Sequence, residues 1–429
     1  MRTVIRDALI VTQDATRRVI RGDIGIEDGR FVEIGKVRDS GDVELDAAGG
    51  IAMPGLINTH THVSMSIMKG VADDMLFPDF LDTVFRYDSK RGERDIFAGT
   101  RLGCLEMIRG GTTTLVDFYY SEDVIAKGVS DAGIRGVLCW AVLDEEFTTQ
   151  NGSPMQNCRR FCETHDGMER IIPGVALQGV YVCNEETCQE ASAYALESDR
   201  PLTFHLSETR KEVNDHKRKT GMRPAEWLDH IGALNPKGIA AHSAWLTINE
   251  VRALARNGVS VSSCPVSNMK LATGGVAPIP EMLENGVTVT MGTDGSTTNN
   301  SLDMFFEMKA LGLLQKANRW DASVLPAQRL LDMATVDAAS AIGMADSLGS
   351  IEVGKLADVI LLDPKAPNLR PLRPENVVSS IVYSSSALNV LTVLCQGNIV
   401  MRDREVLSMD EEEALLAADE AMNELIGRV

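Results

Sequence analysis

Short apolar runs alternate with helix-like segments across most of this 429-residue chain. Eight candidate strands cover residues 56–60, 112–117, 136–143, 174–181, 202–205, 238–242, 259–264 and 287–292. Strand–helix alternation is typical of parallel sheets, and eight such units predict a closed (β/α)8, TIM-like barrel of the α/β class. A doubly wound open sheet is the alternative, but it usually has fewer strands and no G-x-G-x-x-G opens the first unit.

Both ends of the chain show strand patterns of a different kind. Asp28-Gly29 near the start and Gln396-Gly397-Asn398 near the end are hairpin signals between apolar runs. Neither end is long enough to build a good core alone. We therefore predict a small β-sandwich domain from residues 1–53 and 347–429, with a C-terminal helix, beside a barrel domain of residues 54–346.

The charge balance limits the partners of the chain. Its 42 basic and 61 acidic residues give a net charge of −19, which opposes binding to nucleic acid or an anionic membrane. No segment approaches the ~20 apolar residues of a membrane span, and the N-terminus lacks a signal-peptide core. The eight cysteines are irregularly spaced without a C-x-x-C pair, which is typical of reduced thiols. We expect a cytoplasmic protein with no membrane and no nucleic-acid partner.

Four of the seven histidines end predicted strands, which is where active sites form in barrels. They are His60, His62, His205 and His242. Residues two apart on a strand face the same way, so the H-x-H pair can reach one ion. One such histidine alone is more often a hydrogen-bonded core residue, whereas four at one barrel mouth favour a metal site. We expect the remaining three at the surface, namely His165, His216 and His230.

Two carboxylates complete the candidate site. Asp294 follows the last predicted strand, where an unpaired buried carboxylate would be costly. Histidines with a carboxylate suit Zn²⁺, with Fe²⁺ as the alternative. Glu208 lies three residues after His205, a position suited to moving protons above the metal. The fourth predicted strand holds no lysine that could become a carbamylated bridge between two ions, so we predict one ion per chain.

Longer stretches around these residues resemble the amidohydrolase superfamily. The resemblance is carried by PGLINTHTH at 54–62, HLSE at 205–208, His242, PVSN at 265–268, GTDG at 292–295, NNS at 299–301 and GSIEVGKLAD at 349–358. Within the superfamily the chain resembles the cytosine deaminase and triazine hydrolase branch, which includes 5′-methylthioadenosine/S-adenosylhomocysteine deaminases. MKGVADD at 68–74 is similar to a segment near the substrate in nucleoside-deaminating members.

The resemblance implies a role for each site residue. Metal ligation is implied for His60, His62, His205 and Asp294. His242 would stabilise the attacking water or the developing oxyanion, Glu208 would move protons to and from the ring, and Asp294 would also accept the water proton. The cofactor implied is one Zn²⁺ per chain.

The resemblance also implies hydrolytic deamination of an adenine-type nucleoside by a homo-oligomeric enzyme. The substrate would be 5′-methylthioadenosine, 5′-deoxyadenosine, S-adenosylhomocysteine or adenosine. Three positions are assigned to substrate binding: Asp88 in place of a glutamate that binds ribose hydroxyls, Gln178 in place of a histidine, and Trp140 in place of an arginine that holds the homocysteine carboxylate. Loss of that cation predicts a preference for short 5′ groups over S-adenosylhomocysteine.

Two other interpretations remain open. The same site chemistry would serve another heterocycle, such as an s-triazine, a pterin or guanine, with loss of ammonia or chloride. A non-enzymatic metal-binding protein on an inherited barrel is the second alternative. The complete ligand set together with Glu208 argues against it, because such a protein has no need of a proton shuttle.

Overall fold

A computed structural model describes all 429 residues. Eighteen strands form two nine-stranded sheets. The strands are β1 (Arg2–Val11), β2 (Val19–Glu27), β3 (Arg30–Gly35), β4 (Val43–Asp46), β5 (Ile51–Pro54), β6 (Leu56–His62), β7 (Thr112–Tyr119), β8 (Arg135–Val142), β9 (Ile171–Leu177), β10 (Leu202–Leu206), β11 (Gly238–His242), β12 (Ser260–Ser263), β13 (Val289–Met291), β14 (Asp294–Gly295), β15 (Val359–Leu362), β16 (Val390–Cys395), β17 (Asn398–Arg402) and β18 (Glu405–Val406).

Fifteen α-helices connect or cover these strands. They are α1 (Phe77–Asp88), α2 (Glu93–Arg109), α3 (Glu122–Ala132), α4 (Pro154–Thr164), α5 (Glu185–Glu197), α6 (Arg210–Thr220), α7 (Pro224–His230), α8 (Ile248–Arg256), α9 (Pro265–Lys270), α10 (Ile279–Glu284), α11 (Met304–Arg319), α12 (Ala327–Met333), α13 (Val336–Ala341), α14 (Val377–Tyr383) and α15 (Glu411–Ile426). Short 3₁₀ segments lie at Val63–Met68, Glu145–Phe147, Pro367–Leu369 and Ala387–Asn389. Every helix falls short of the length and apolarity that crossing a bilayer requires.

One sheet is the predicted barrel. Its strands run in parallel in the order β13-β12-β11-β10-β9-β8-β7-β6-β14. β13 and β14 are consecutive segments of the stretch Val289–Gly295, and they stand at opposite ends of this order. Because β13 pairs with β12 and β14 pairs with β6, this stretch closes the sheet into a barrel. All eight predicted barrel strands are present, so the predicted fold class is confirmed. The fourth strand differs most from its predicted range of 174–181. It ends at Leu177, and residues 178–181 leave the sheet at the barrel mouth.

Alternation along the strands separates the barrel interior from the layer under the helices. Phe118 and Cys139 are directly paired across β7 and β8, and the Phe118 ring stacks on His205 at 4.5 Å inside the barrel. Cys139 therefore faces inward. Leu138 and Trp140, its neighbours in the chain, face outward and belong to the large apolar core between strands and helices.

The other sheet joins the two ends of the chain. Its order is β18-β17-β16-β15-β5-β1-β2-β3, with β4 paired to β1. The antiparallel pair β5–β15 connects the N-terminal and C-terminal strands, as the prediction of one small β domain from both ends requires. Hydrogen bonds between neighbouring strands join all nine strands of this domain into one continuous sheet with parallel and antiparallel pairs. A buried ion pair between Arg135 and Asp358, 2.6 Å long, links it to the barrel. The boundaries at residues 53/54 and 346/347 stay predictions.

Candidate active site

Four histidine rings meet at the carboxyl ends of the barrel strands. The His60 ring centroid lies 5.0 Å from that of His62, 5.1 Å from that of His205 and 5.3 Å from that of His242. Asp294 Oδ1 lies 3.6 Å from His60 Nε2 and 3.3 Å from His62 Nε2. The structure thus brings together the five residues that the sequence placed at the ends of four different strands.

Backbone carbonyls fix two of these rings. His62 Nδ1 lies 2.5 Å from the Phe118 carbonyl oxygen, and His205 Nδ1 lies 2.9 Å from that of Gln178. A carbonyl only accepts, so in each ring Nδ1–H is the donor and Nε2 keeps a free lone pair. A hydrogen bond of this kind orients a histidine for metal binding.

His60 has no hydrogen-bond partner at either ring nitrogen, although its side chain is fully buried. An unsatisfied buried polar group costs about 1–3 kcal/mol. Burial lowers the pKa of His60 to about 4, so the ring is neutral at pH 7 and offers a lone pair. A divalent metal ion would satisfy it. The donor set of neutral histidines and one carboxylate fits zinc, and two groups of ligand atoms lie within 4.8 Å of one another: His60 with His62 and Asp294, and His60 with His205 and His242.

Asp294 is held as an anion. Burial alone would raise its pKa, but the surrounding histidines keep the pKa of Asp294 well below its usual range. Its Oδ2 accepts a hydrogen bond from Ser267 Oγ at 2.6 Å, and its Oδ1 accepts one from the Gly295 amide at 2.7 Å. Gly292 is required beside it, because a Cβ there would lie 2.6 Å from the backbone nitrogen of His60.

His242 and Glu208 face each other across the site. His242 Nε2 lies 4.0 Å from Glu208 Oε2, and His242 Nδ1–H donates to Asn268 Oδ1 at 3.0 Å. Burial opposes protonation of His242, but the neighbouring carboxylates, chiefly Glu208, raise its pKa. Burial raises the pKa of Glu208. A carboxyl whose pKa lies above its usual range holds its proton more readily, which suits general acid catalysis.

Two of the three predicted substrate residues lie beside this centre. Asp88 accepts hydrogen bonds from Tyr120 Oη at 2.8 Å and Arg91 Nε at 2.7 Å. The Arg91 guanidinium covers the ring of Tyr119, which lies 5.7 Å from the His62 ring. Gln178 reaches the site through its carbonyl on His205, and its side-chain amide lies 3.3 Å from the Tyr181 hydroxyl.

The third assignment is wrong, because Trp140 faces away from the histidine cluster. Its ring packs on Phe161 of α4 with centroids 5.8 Å apart, and the Arg160 guanidinium lies 5.7 Å from it. Its indole N–H donates to Gln150 Oε1 at 2.7 Å. The side chain is 4% exposed. Strand alternation explains the error, since Cys139 occupies the inward position and Trp140 is therefore directed under the helices.

Some residues of the site were missed in the sequence, and one residue outside the site was placed incorrectly. Ser267 and Asn268 lie in the quoted PVSN motif, which marked them without indicating which side chains they bind. His216 is buried against Trp227, with ring centroids 4.9 Å apart, and is not the surface residue that its polar helix predicted. Of the neighbours of Asp88, Arg91 lies three residues away in the chain, whereas nothing in the sequence linked Tyr119 and Tyr120 to it.

Comparison with known proteins agrees with this geometry. The profile of the Amidohydrolase family matches residues 51–400. A 5′-deoxyadenosine deaminase of Methanothermobacter thermautotrophicus is 40% identical over 412 residues, covering 95% of each chain. A 5-methylthioadenosine/S-adenosylhomocysteine deaminase of Pyrococcus furiosus is 37% identical, covering 96% of this chain and 98% of the relative.

A solved structure extends the comparison. The crystal structure of an adenosine deaminase from Xanthomonas campestris with bound zinc superposes with a TM-score of 0.95 at 30% identity, covering 99% of this chain and 98% of that one. The matched profile spans most of the chain, and both relatives exceed a third of identical residues over nearly their full length. The chain therefore belongs to the amidohydrolase family.

Proposed function

We propose that this protein is a metal-dependent aminohydrolase that deaminates adenine-type nucleosides and releases ammonia. The observation that carries the proposal is the meeting of Glu208 and His242, 4.0 Å apart, above a cluster of neutral histidines and Asp294. The activities for which the relatives at 30–40% identity are named, all deaminations of adenine nucleosides, support the same reaction.

The metal would be held by the first, fifth and last barrel strands, through His60, His62, His205 and Asp294. We propose one Zn²⁺ per chain, with Fe²⁺ as the alternative occupant. A bound ion supplies Lewis acidity that lowers the pKa of water from 15.7 toward about 7. Elemental analysis of the purified protein should find about one transition-metal ion per chain. His60→Ala should lose the ion, and the exposed His230→Gln should retain it. Two ions per chain, or none in an active preparation, would contradict the assignment.

The side chains would divide the proton transfers. Glu208 gives its proton to the ring nitrogen next to the carbon that bears the amino group, which makes that carbon electrophilic. The oxygen of water adds to the carbon, and Asp294 accepts the proton that water releases. His242 donates a hydrogen bond to the developing oxyanion. Asp294 then returns its proton to the amino group, the remaining hydroxyl proton passes to the Glu208 carboxylate as the C=O bond forms, and the C–N bond breaks with loss of ammonia.

The nucleoside would be recognised beside this centre. Asp88 is oriented by Arg91 and Tyr120, and a carboxylate there suits ribose hydroxyls. Gln178 offers an amide at the barrel mouth. Because Trp140 lies outside the site, its identity does not argue against S-adenosylhomocysteine, and the proposed substrate class includes all four 5′ substituents.

An assay of ammonia release, with chloride release also measured for the triazine, tests the reaction and the class of ring that is hydrolysed. The panel contains 5′-deoxyadenosine, 5′-methylthioadenosine, S-adenosylhomocysteine and adenosine, with guanine, a pterin and a chloro-s-triazine as comparisons. We expect the highest kcat/KM among the adenine nucleosides. Turnover confined to the other three compounds would overturn the proposed substrate class.

We also propose that the enzyme is cytoplasmic and homo-oligomeric and acts only on small molecules. All eight cysteines are buried and unpaired, which suits a reducing compartment. Oligomerisation is an inference by fold analogy, and light scattering on the purified protein tests it.

A further inference from the structure

An unusual turn at the end of a barrel strand places Glu208 in the site. Strand β10 ends at Leu206, and Ser207 then adopts a left-handed conformation with φ of 48°. A non-glycine residue avoids this region unless its surroundings hold it there. The turn separates His205, which points into the metal cluster, from Glu208, which faces His242. The position of the Glu208 carboxyl therefore depends on what keeps this turn in place.

One carboxylate binds both amides of the turn. Glu212 Oε1 accepts the Ser207 N–H at 2.9 Å, and Glu212 Oε2 accepts the Glu208 N–H at 2.8 Å. Successive amides around a left-handed residue form a concave site for an anion. Here a side-chain carboxyl of the same protein occupies that site.

The start of α6 fixes Glu212 in turn. Glu212 occupies the third position of this helix, and its own N–H donates to the side chain of the N-cap residue Thr209 at 3.1 Å. In a usual capping box the third-position carboxylate binds the amide of the N-cap residue. Glu212 instead binds the two amides that precede Thr209, so its contacts serve the turn that carries Glu208.

We propose that Glu212 is a positioning residue for Glu208, which holds the catalytic carboxyl above the metal cluster by binding the amides of Ser207 and Glu208. The proposal rests on the proposed function, because the position of Glu208 matters only if this residue moves a proton. The Glu212 carboxylate hydrogen-bonds these backbone amides and none of the proposed metal ligands, so its effect on the site passes through the backbone.

The test compares two substitutions with a matched control. Glu212→Gln replaces one acceptor oxygen by an NH₂ group that would face a backbone N–H. Glu212→Asp keeps both acceptors on a shorter side chain. Glu226→Gln is the control, because Glu226 is the third-position carboxylate of α7 and accepts the Arg223 amide at 3.3 Å away from the histidine cluster. Each variant is assayed for kcat, KM, metal content and thermal unfolding.

We expect Glu212→Gln to lower kcat by about 10- to 100-fold, the usual effect of losing a contact that orients an active-site group, with KM, metal content and unfolding temperature close to those of the control. Glu212→Asp should recover part of kcat, and it carries the test alone if the glutamine variant does not fold. An unchanged kcat in an active enzyme would overturn the inference, as would a loss of kcat that follows loss of metal. A wild-type protein that deaminates no adenine nucleoside would overturn the proposed function itself, and the inference with it.

Discussion

The Ser267 hydroxyl donates a hydrogen bond to Asp294 Oδ2 over 2.6 Å. Since the Gly295 amide binds the other oxygen at 2.7 Å, protein donors hold both carboxylate oxygens. Ser267 lies on α9 next to Asn268, which orients His242. The short helix after the seventh barrel strand therefore positions two groups of the site.

Ser267→Ala should weaken metal binding by about 10- to 100-fold, as is typical when a partner of a ligand is removed. The metal dissociation constant is measured by competition with a chromophoric chelator. Ser323→Ala, a change at an exposed serine, is the control and should leave the constant unchanged. Equal affinities in the two variants would show that the hydroxyl does not orient Asp294.

Trp140→Phe should lower stability without changing substrate preference. The substitution removes the N–H that binds Gln150 and part of the packing on Phe161, at a cost of about 1–2 kcal/mol in the free energy of unfolding. Urea denaturation measures that cost, and kcat/KM for 5′-deoxyadenosine and S-adenosylhomocysteine measures preference. A changed ratio of the two kcat/KM values with unaltered stability would restore Trp140 to the substrate site.

A buried carboxyl pair behind His62 should make stability depend on pH. Asp117 accepts the Val63 amide at 2.6 Å and Glu122 accepts the Tyr119 amide at 2.9 Å. Burial raises the pKa of Asp117 to about 7 and raises the pKa of Glu122 above its usual range. Between about pH 4 and 7 the folded state thus binds more protons than the unfolded state. Stability should fall as pH rises through that window, by up to about 1.4 kcal/mol per pH unit for each proton.

Glu122→Gln should reduce this dependence, because it removes one of the two buried carboxyls that bind protons more tightly in the folded state. The variant should exceed the wild type in free energy of unfolding at pH 8 and lose that advantage near pH 5. Urea denaturation across this range, with the exposed Glu197→Gln as the control, measures the effect. Parallel curves for wild type and Glu122→Gln would show that the pair does not titrate as described.

The barrel was predictable because its signals are local. Strand and helix patterns alternate along the chain, and histidines at strand ends converge in any closed parallel barrel. Predicting which way one residue of a strand faces, however, requires the register between neighbouring strands. Residue 140 lies next to an inward-facing residue, and only the pairing of Phe118 with Cys139 shows that the tryptophan faces outward.

The partners of individual side chains were beyond the sequence for the same reason. Glu212 resembles an ordinary helix-capping residue in the sequence, and only the fold shows which amides it binds. His216 lies on a helix rich in charged residues, and nothing near it in sequence indicates that Trp227 will cover it. Periodicity predicts which face of a helix or strand is buried. It does not predict which residues of other segments pack against that face.

The paired assay of wild type and Glu208→Gln tests the account most directly. Both proteins are loaded with zinc, analysed for metal content and assayed for ammonia release from 5′-deoxyadenosine. We expect one ammonia per nucleoside consumed by the wild type, and a Glu208→Gln variant with full metal content whose kcat is about 10²–10⁴-fold lower, the usual contribution of general acid–base catalysis. Near-normal turnover in the variant, or loss of its metal, would contradict the role assigned to Glu208 and the deamination mechanism built on it.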